Sequence, residues 1–357
     1  MDTTAWPLPT RSKPGTRYRP VGALRLALAV MVVAQHFQHL LPPAQRVVFH
    51  QLGLGLIAVT VFFVISGFVV TEAAVVFYDG RPAAFLLNRV LRLLPPYLAA
   101  LALSVLGHAA LWWTGKLSLW DFPSPAWPLS SGALISGLCG LIPGIHPAIF
   151  GQTFEFIPYA WSLRVEMAFY LAAALCIAAA RPWPAVVPTV LAICLVASFI
   201  LLPGAHASLL SNMPMFLAGI ALYGAVTRCS PARLLFAALA CAAACLGFGT
   251  FDQRFTPDLA QQFLVLGLLL LLFAALCTLS ASGAWQRFDR ELGDLSYPLY
   301  LNHYIIGIAL SDLAPTLSWR LYAMAATLSL CLAWLMGRLI DTQTLRLRAR
   351  IRKTRLE

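Results

Sequence analysis

Charged side chains are scarce in this chain: they make up 11% of its 357 residues, against roughly 25% in an average soluble protein. A water-soluble fold needs a polar coat, so this scarcity, together with 60% hydrophobic residues, excludes a soluble globular domain and points to an integral membrane protein. Acidic residues are the scarcest, 14 against 25 Lys and Arg, which leaves a formal charge of +11. The cations are spread along the chain rather than gathered into a basic domain with interleaved aromatics, so they do not read as a nucleic-acid surface. Metal-ligand spacing is also missing. Of the eight cysteines, Cys176, Cys194, Cys241, Cys245, Cys277 and Cys331 lie inside apolar runs, with no His or Cys at a zinc-like interval, and they read as small apolar filler. There is no repeat of 20–50 residues and no low-complexity linker. No small-residue cleavage site follows the first apolar run, which is therefore expected to stay in place as a signal anchor.

What the chain has instead is a succession of apolar runs of about 20 residues, the length that spans a bilayer as a helix. They predict an all-α polytopic bundle of about ten transmembrane helices near 22–40, 53–71, 95–114, 159–180, 184–202, 209–226, 231–249, 260–282, 296–313 and 319–340. Arginine and lysine fall mostly on one side of this arrangement, from Arg11, Lys13, Arg17 and Arg19 at the start to Arg346, Arg348, Arg350, Arg352, Lys353 and Arg355 at the end. By the positive-inside rule both termini are then cytoplasmic. The organisation expected is a basic tail over 1–20, a membrane domain over 21–341 with a long outer loop at 115–158, and a second basic tail over 342–357. The loop carries Trp120, Pro123, Pro125, Trp127 and Pro128 and an apolar stretch at 131–144 too short to span. It is expected to hold a re-entrant or surface helix and to cover a substrate mouth.

Ionisable residues inside the apolar runs are costly in a bilayer and mark candidate functional positions. Arg25 and His36 share the first run. Eleven helical steps return them to one face, about 16 Å apart along the axis. Arg89 and Arg92 are three apart, hence neighbours on a helix, and paired guanidiniums suit phosphate oxygens; anchoring to anionic lipid is the alternative. Pro95 and Pro96 are expected to end that helix and start the next span. Glu166, in AWSLRVEMAFYL, lies at a depth similar to that of His36, so a Glu–His pair is expected to set the imidazole tautomer. Arg164 stands two residues away and Ser162 four. In LGDLSYPLYLNHY, Tyr297, Tyr300 and Tyr304 form a polar stripe with Asn302 and His303 alongside, which reads either as substrate contact or as helix packing.

Taken in order, Arg25 and His36, VFFVISGFVV at 61–70, Arg89 and Arg92, WSLRVEMAFYL and LSYPLYLNH at 295–303 resemble the motifs of the membrane-bound acyltransferase family 3, over residues 20–341. That resemblance implies transfer of an acyl group, usually acetyl, from cytoplasmic acyl-coenzyme A to a hydroxyl of an extracytoplasmic or lipid-linked saccharide in the cell inner membrane. It implies His36 as the catalytic residue, as general base or acyl acceptor, with Arg25 its partner and Glu166 near the reaction centre. Arg89 and Arg92 would hold the donor, with no metal and no permanently bound cofactor. Arg164, Met167 and Asn302 depart from the common pattern, and Arg164 would add positive charge beside the acceptor mouth. The class that competes with this reading is a transporter or exporter of a lipid-linked sugar or small anion, which also uses intramembrane His, Glu and Arg.

Overall fold

The structure, a computed structural model, describes residues 18–117, 129–152, 154–179, 209–228, 259–314 and 316–352. Among these residues there are eleven α-helices and no strands. They are α1 Gly22–His36, α2 Val47–Leu52, α3 Leu54–Val76, α4 Pro82–Trp113, α5 Ser131–Leu138 and α6 Ala160–Ala178, then α7 Leu209–Arg228, α8 Leu259–Thr278, α9 Gly283–Leu313, α10 Trp319–Met336 and α11 Thr342–Arg352. Among the described residues, six helical stretches are long and apolar enough to cross a membrane: Gly22–Leu40, Pro43–Val76, Pro82–Trp113, Ala160–Ala178, Ala260–Thr278 and Trp319–Ile340. Their outer faces carry apolar side chains, with Leu106, Trp113, Leu175 and Leu264 each at least 60% exposed. Such a girdle is unfavourable in water and matches a lipid surface. The expected spans at 184–202 and 231–249, and Trp120 to Pro128 of the outer loop, lie outside the described residues.

Two close crossings hold the bundle together. A Cβ at Gly67 of α3 would stand 2.1 Å from the Phe216 carbonyl of α7, and one at Gly219 of α7 would stand 2.0 Å from the Val64 carbonyl of α3. Backbones this close need small residues, since hydrocarbon gives the helices no hydrophobic drive to associate and packing must supply it. At the second crossing a Cβ at Gly22 of α1 would meet the Asp289 carbonyl of α9 at 1.7 Å. The Asp289 carboxylate, 1% exposed, accepts from the amides of Gly22 and Ala23 at 2.8 and 2.9 Å and from the Tyr18 hydroxyl at 2.8 Å. A carboxylate thus caps the start of α1 from another helix, satisfying orphan amides and matching the positive end of the dipole.

Three expectations change. Pro95 and Pro96 neither end nor start a helix; they lie inside α4, which runs unbroken for 32 residues. Membrane helices tolerate interior proline, and in the turn beside these two Tyr297 of α9 ties α4 down by donating to the Leu93 carbonyl at 3.0 Å. Helix α9 begins at Gly283, well before 296, because its charged first half packs against α1 and supplies the Asp289 cap. The basic segment after the last span is a helix, α11, docked on α4: Asn88 donates to the Arg348 carbonyl at 3.0 Å and Arg81 to the Ile351 carbonyl at 2.8 Å. In the 131–144 stretch, α5 is short, as expected, and leans on α4 through a bond from the Tyr97 hydroxyl to the Gly137 carbonyl at 2.7 Å.

Candidate active site

Helices α1, α3, α4, α6 and α9 enclose a cavity of about 260 Å³. At one end Arg25 of α1, Arg89 and Arg92 of α4 and Asp294 of α9 line it. Arg89 is 5% exposed, with its guanidinium 5.3 Å from the ring centre of Phe85 and 5.4 Å from that of Tyr170. The guanidiniums of Arg25, Arg89 and Arg92 have no hydrogen bond or ion pair with any of the described residues. Other arginines are matched: Arg19 to Glu72 at 3.1 Å and Arg164 to Glu155 at 2.8 Å. In all, five arginines and two carboxylates line the cavity, and an enclosed excess of cations is a site for an anion.

Midway along the cavity stands Glu166. The Ser66 hydroxyl donates to its Oε1 at 2.9 Å, and Tyr170 donates to the same oxygen. The two small residues of VFFVISGFVV therefore have separate tasks: Ser66 holds Glu166, and Gly67 admits α7.

Beyond Glu166 the lining ends at Ser162 and Tyr300, whose hydroxyls are 2.7 Å apart. The Tyr159 ring packs edge-on to Tyr300, with centres 5.3 Å apart, and stacks on both His36 and His303, at 5.0 and 4.5 Å. His36 does not itself line the cavity; one tyrosine ring separates them. Its Nδ1 lies 2.8 Å from Nε2 of His303, which is fully buried. His303 Nδ1 in turn faces the Leu299 carbonyl at 3.2 Å. These bonds assign the protons. A carbonyl can only accept, so His303 Nδ1 donates to it and the neutral ring's Nε2 is an acceptor. His36 Nδ1 must then donate to that acceptor, which leaves His36 Nε2 with its lone pair free of any partner among the described residues.

Of the sequence-predicted site residues, Arg25, Arg89, Arg92, Ser162, Glu166, Tyr297 and Tyr300 line this cavity, and His36 and His303 stack on the Tyr159 ring beyond it. Arg164 faces Glu155 instead, and two expected pairings differ. Glu166 is not the partner of His36. Helix α6 starts beside the imidazole with Tyr159, and seven residues of rise carry Glu166 about 10 Å further toward the arginines. The partner is His303, which was visible only as one member of a polar stripe, because its rotation toward α1 depends on how α9 packs. Arg164 is buried against Glu155 at 2.8 Å, so its charge is compensated and not offered to an acceptor. Asp289 caps α1 without belonging to any sequence motif; its one signal in the sequence is a carboxylate at the charged entrance to an apolar run.

Outside the membrane-crossing helices, Arg348 of α11 is half-buried beside this group. Burial, then the neighbouring guanidiniums of Arg92, Arg352 and Arg89, pull it down to about 10.

Comparison with known proteins gives a consistent assignment. Residues 21–338 match a family described as an acyltransferase domain. A curated protein of Komagataeibacter xylinus, "Putative membrane-bound transacylase BcsY", is 31% identical over 162 residues, covering 44% of this chain and 36% of that protein. The chain thus matches little more than a third of that relative's length. No solved structure matches.

Proposed function

The chain belongs to this acyltransferase family, and from that premise we propose that it moves an acyl group, most simply acetyl, from cytoplasmic acyl-coenzyme A to a hydroxyl of an extracytoplasmic or lipid-linked saccharide. One observation carries the proposal: a cavity with unpaired arginines at one end is separated at the other by the Tyr159 ring from a histidine whose Nε2 has no partner among the described residues. The donor's phosphates bind Arg25, Arg89 and Arg92, and its acyl arm follows the cavity past Glu166 to Ser162 and Tyr300. Glu166, close enough to interact with Arg25 and Arg92, moderates the cationic end. His36 is the catalytic base, and His303 is a positioning residue that fixes its tautomer.

The steps balance without a cofactor. His36 Nε2 takes the proton of the acceptor hydroxyl, the oxygen forms a new C–O bond at the thioester carbon, the C–S bond breaks, and coenzyme A leaves as the thiol with the proton that the imidazole held. The hydroxyls of Ser162 and Tyr300, which donate to the Tyr159 carbonyl at 3.0 and 3.3 Å, turn from it to stabilise the oxyanion of the tetrahedral intermediate. In this reading ten spans place both termini in the cytoplasm of a cell with an inner membrane, so donor and acceptor meet the protein from opposite faces.

The test is acyl transfer from labelled acetyl-coenzyme A in reconstituted membranes, scored as base-labile esters on a saccharide acceptor. His36→Ala should lower the rate about 10²–10⁴-fold while donor binding persists. A normally inserted His36→Ala protein with unaltered ester formation would rule out the assignment of the base.

A further inference from the structure

Helix α11 carries an arginine at every second position: Arg346, Arg348, Arg350 and Arg352. Residues two apart on a helix point to opposite sides, so this pattern divides the four. Arg346 and Arg350 are exposed. Arg348 and Arg352 turn toward the bundle, where the Nε of each is buried without a partner. Arg352 lies over the Phe77 ring at 5.2 Å, but Arg348 has no comparable seat. It lines a small cavity of about 80 Å³ with Arg25, Arg92, Gly293, Asp294, Tyr297 and Leu345. All of these except Leu345 and Arg348 also line the large cavity, so the two form neighbouring parts of one space.

Four guanidiniums, those of Arg25, Arg89, Arg92 and Arg348, therefore gather at one end, and none is within 4 Å of a carboxylate among the described residues. Asp294 is the one acid lining both cavities. Like charges held together in a partly dry space are mutually unfavourable until an anion joins them. A lone phosphate would saturate one fork or two; four arginines suit an anion with several phosphate groups.

We propose that Arg348 is a binding residue for a polyphosphate ester, so that α11 forms the cytoplasmic wall of the donor site rather than a free basic tail. This rests on the donor reading above and names the part of the donor concerned, the phosphorylated nucleotide end of coenzyme A. The side chain acts, not the docking of the helix: α11 is held through the backbone carbonyls of Arg348 and Ile351, which a substitution at position 348 leaves in place.

The experiment is calorimetric titration of the full-length protein in phosphatidylcholine nanodiscs, with coenzyme A and with inorganic pyrophosphate as probes. Arg348→Gln should weaken coenzyme A binding about 10-fold or more, with Arg348→Lys losing less. Arg346→Gln and Arg350→Gln should match wild type, and the ligand-free melting temperature should not fall in any of the four variants, with Arg348→Gln equal to or above wild type because it removes one of the crowded cations. Wild-type affinity in Arg348→Gln, with binding lost in Arg89→Gln, would overturn the role of α11 and leave the donor site standing. Equal losses at positions 346, 348 and 350 would also overturn it, as diffuse attraction. So would a difference between Arg348→Gln and wild type that appears only when the nanodisc lipid is phosphatidylglycerol, which would make a lipid headgroup the anion. If wild type ignored coenzyme A but bound pyrophosphate through Arg348, the donor assignment would fail and the anion site would stand.

Discussion

The tautomer relay makes a quantitative prediction for His303→Phe. Phenylalanine keeps a ring to stack on Tyr159 and His36 but removes the acceptor 2.8 Å from His36 Nδ1. A hydrogen bond of this kind is worth about 1 kcal/mol net, and a buried donor left without an acceptor costs about 1–3 kcal/mol. The tautomer with Nε2 free loses that much relative to its alternative. At 1.36 kcal/mol per decade this lowers kcat about 5- to 150-fold. Since His303 does not line the cavity, KM for the donor should not move. His303→Gln, whose side-chain carbonyl can accept from Nδ1, should recover part of the loss. The assay is steady-state acyl transfer with purified protein, with thermal unfolding measured beside it. A His303→Phe enzyme with wild-type kcat, a glutamine variant no better than phenylalanine, or a loss confined to donor KM would each refute the relay.

The architecture gives two further expectations. Gly67→Ala and Gly219→Ala each place a methyl about 2 Å from a backbone oxygen of the partner helix, so α3 and α7 must separate at a cost of about 1–3 kcal/mol; unfolding temperatures in detergent should fall, and an unchanged value would contradict the crossing. Asp289→Ala strips the cap from α1, a loss of about 0.5–2 kcal/mol, and frees the helix end that carries Arg25, so stability and donor affinity should fall together, with Asp289→Asn milder because its carbonyl still accepts. An affinity that held while stability fell would mean that the cap does not position Arg25.

Much of this protein is determined by sequence alone, because a bilayer leaves the chain few choices. Apolar runs of the right length must be helices, since nothing else satisfies the backbone in lipid, and ionisable residues within them must turn inward. Arg25, His36, Arg89, Arg92 and Glu166 could therefore be named from spacing and setting. Tertiary structure decided which of these residues meet. Neither the pairing of His36 with His303 rather than Glu166, nor the capping of α1 by Asp289, nor the return of Arg348 to the arginine cluster follows from period or composition. Each depends on the rotation and axial offset of one helix against another. A shift of two turns is about 11 Å, enough to replace a carboxylate with a tyrosine beside the same imidazole, and close packing of the kind seen at Gly22, Gly67 and Gly219 sets such offsets.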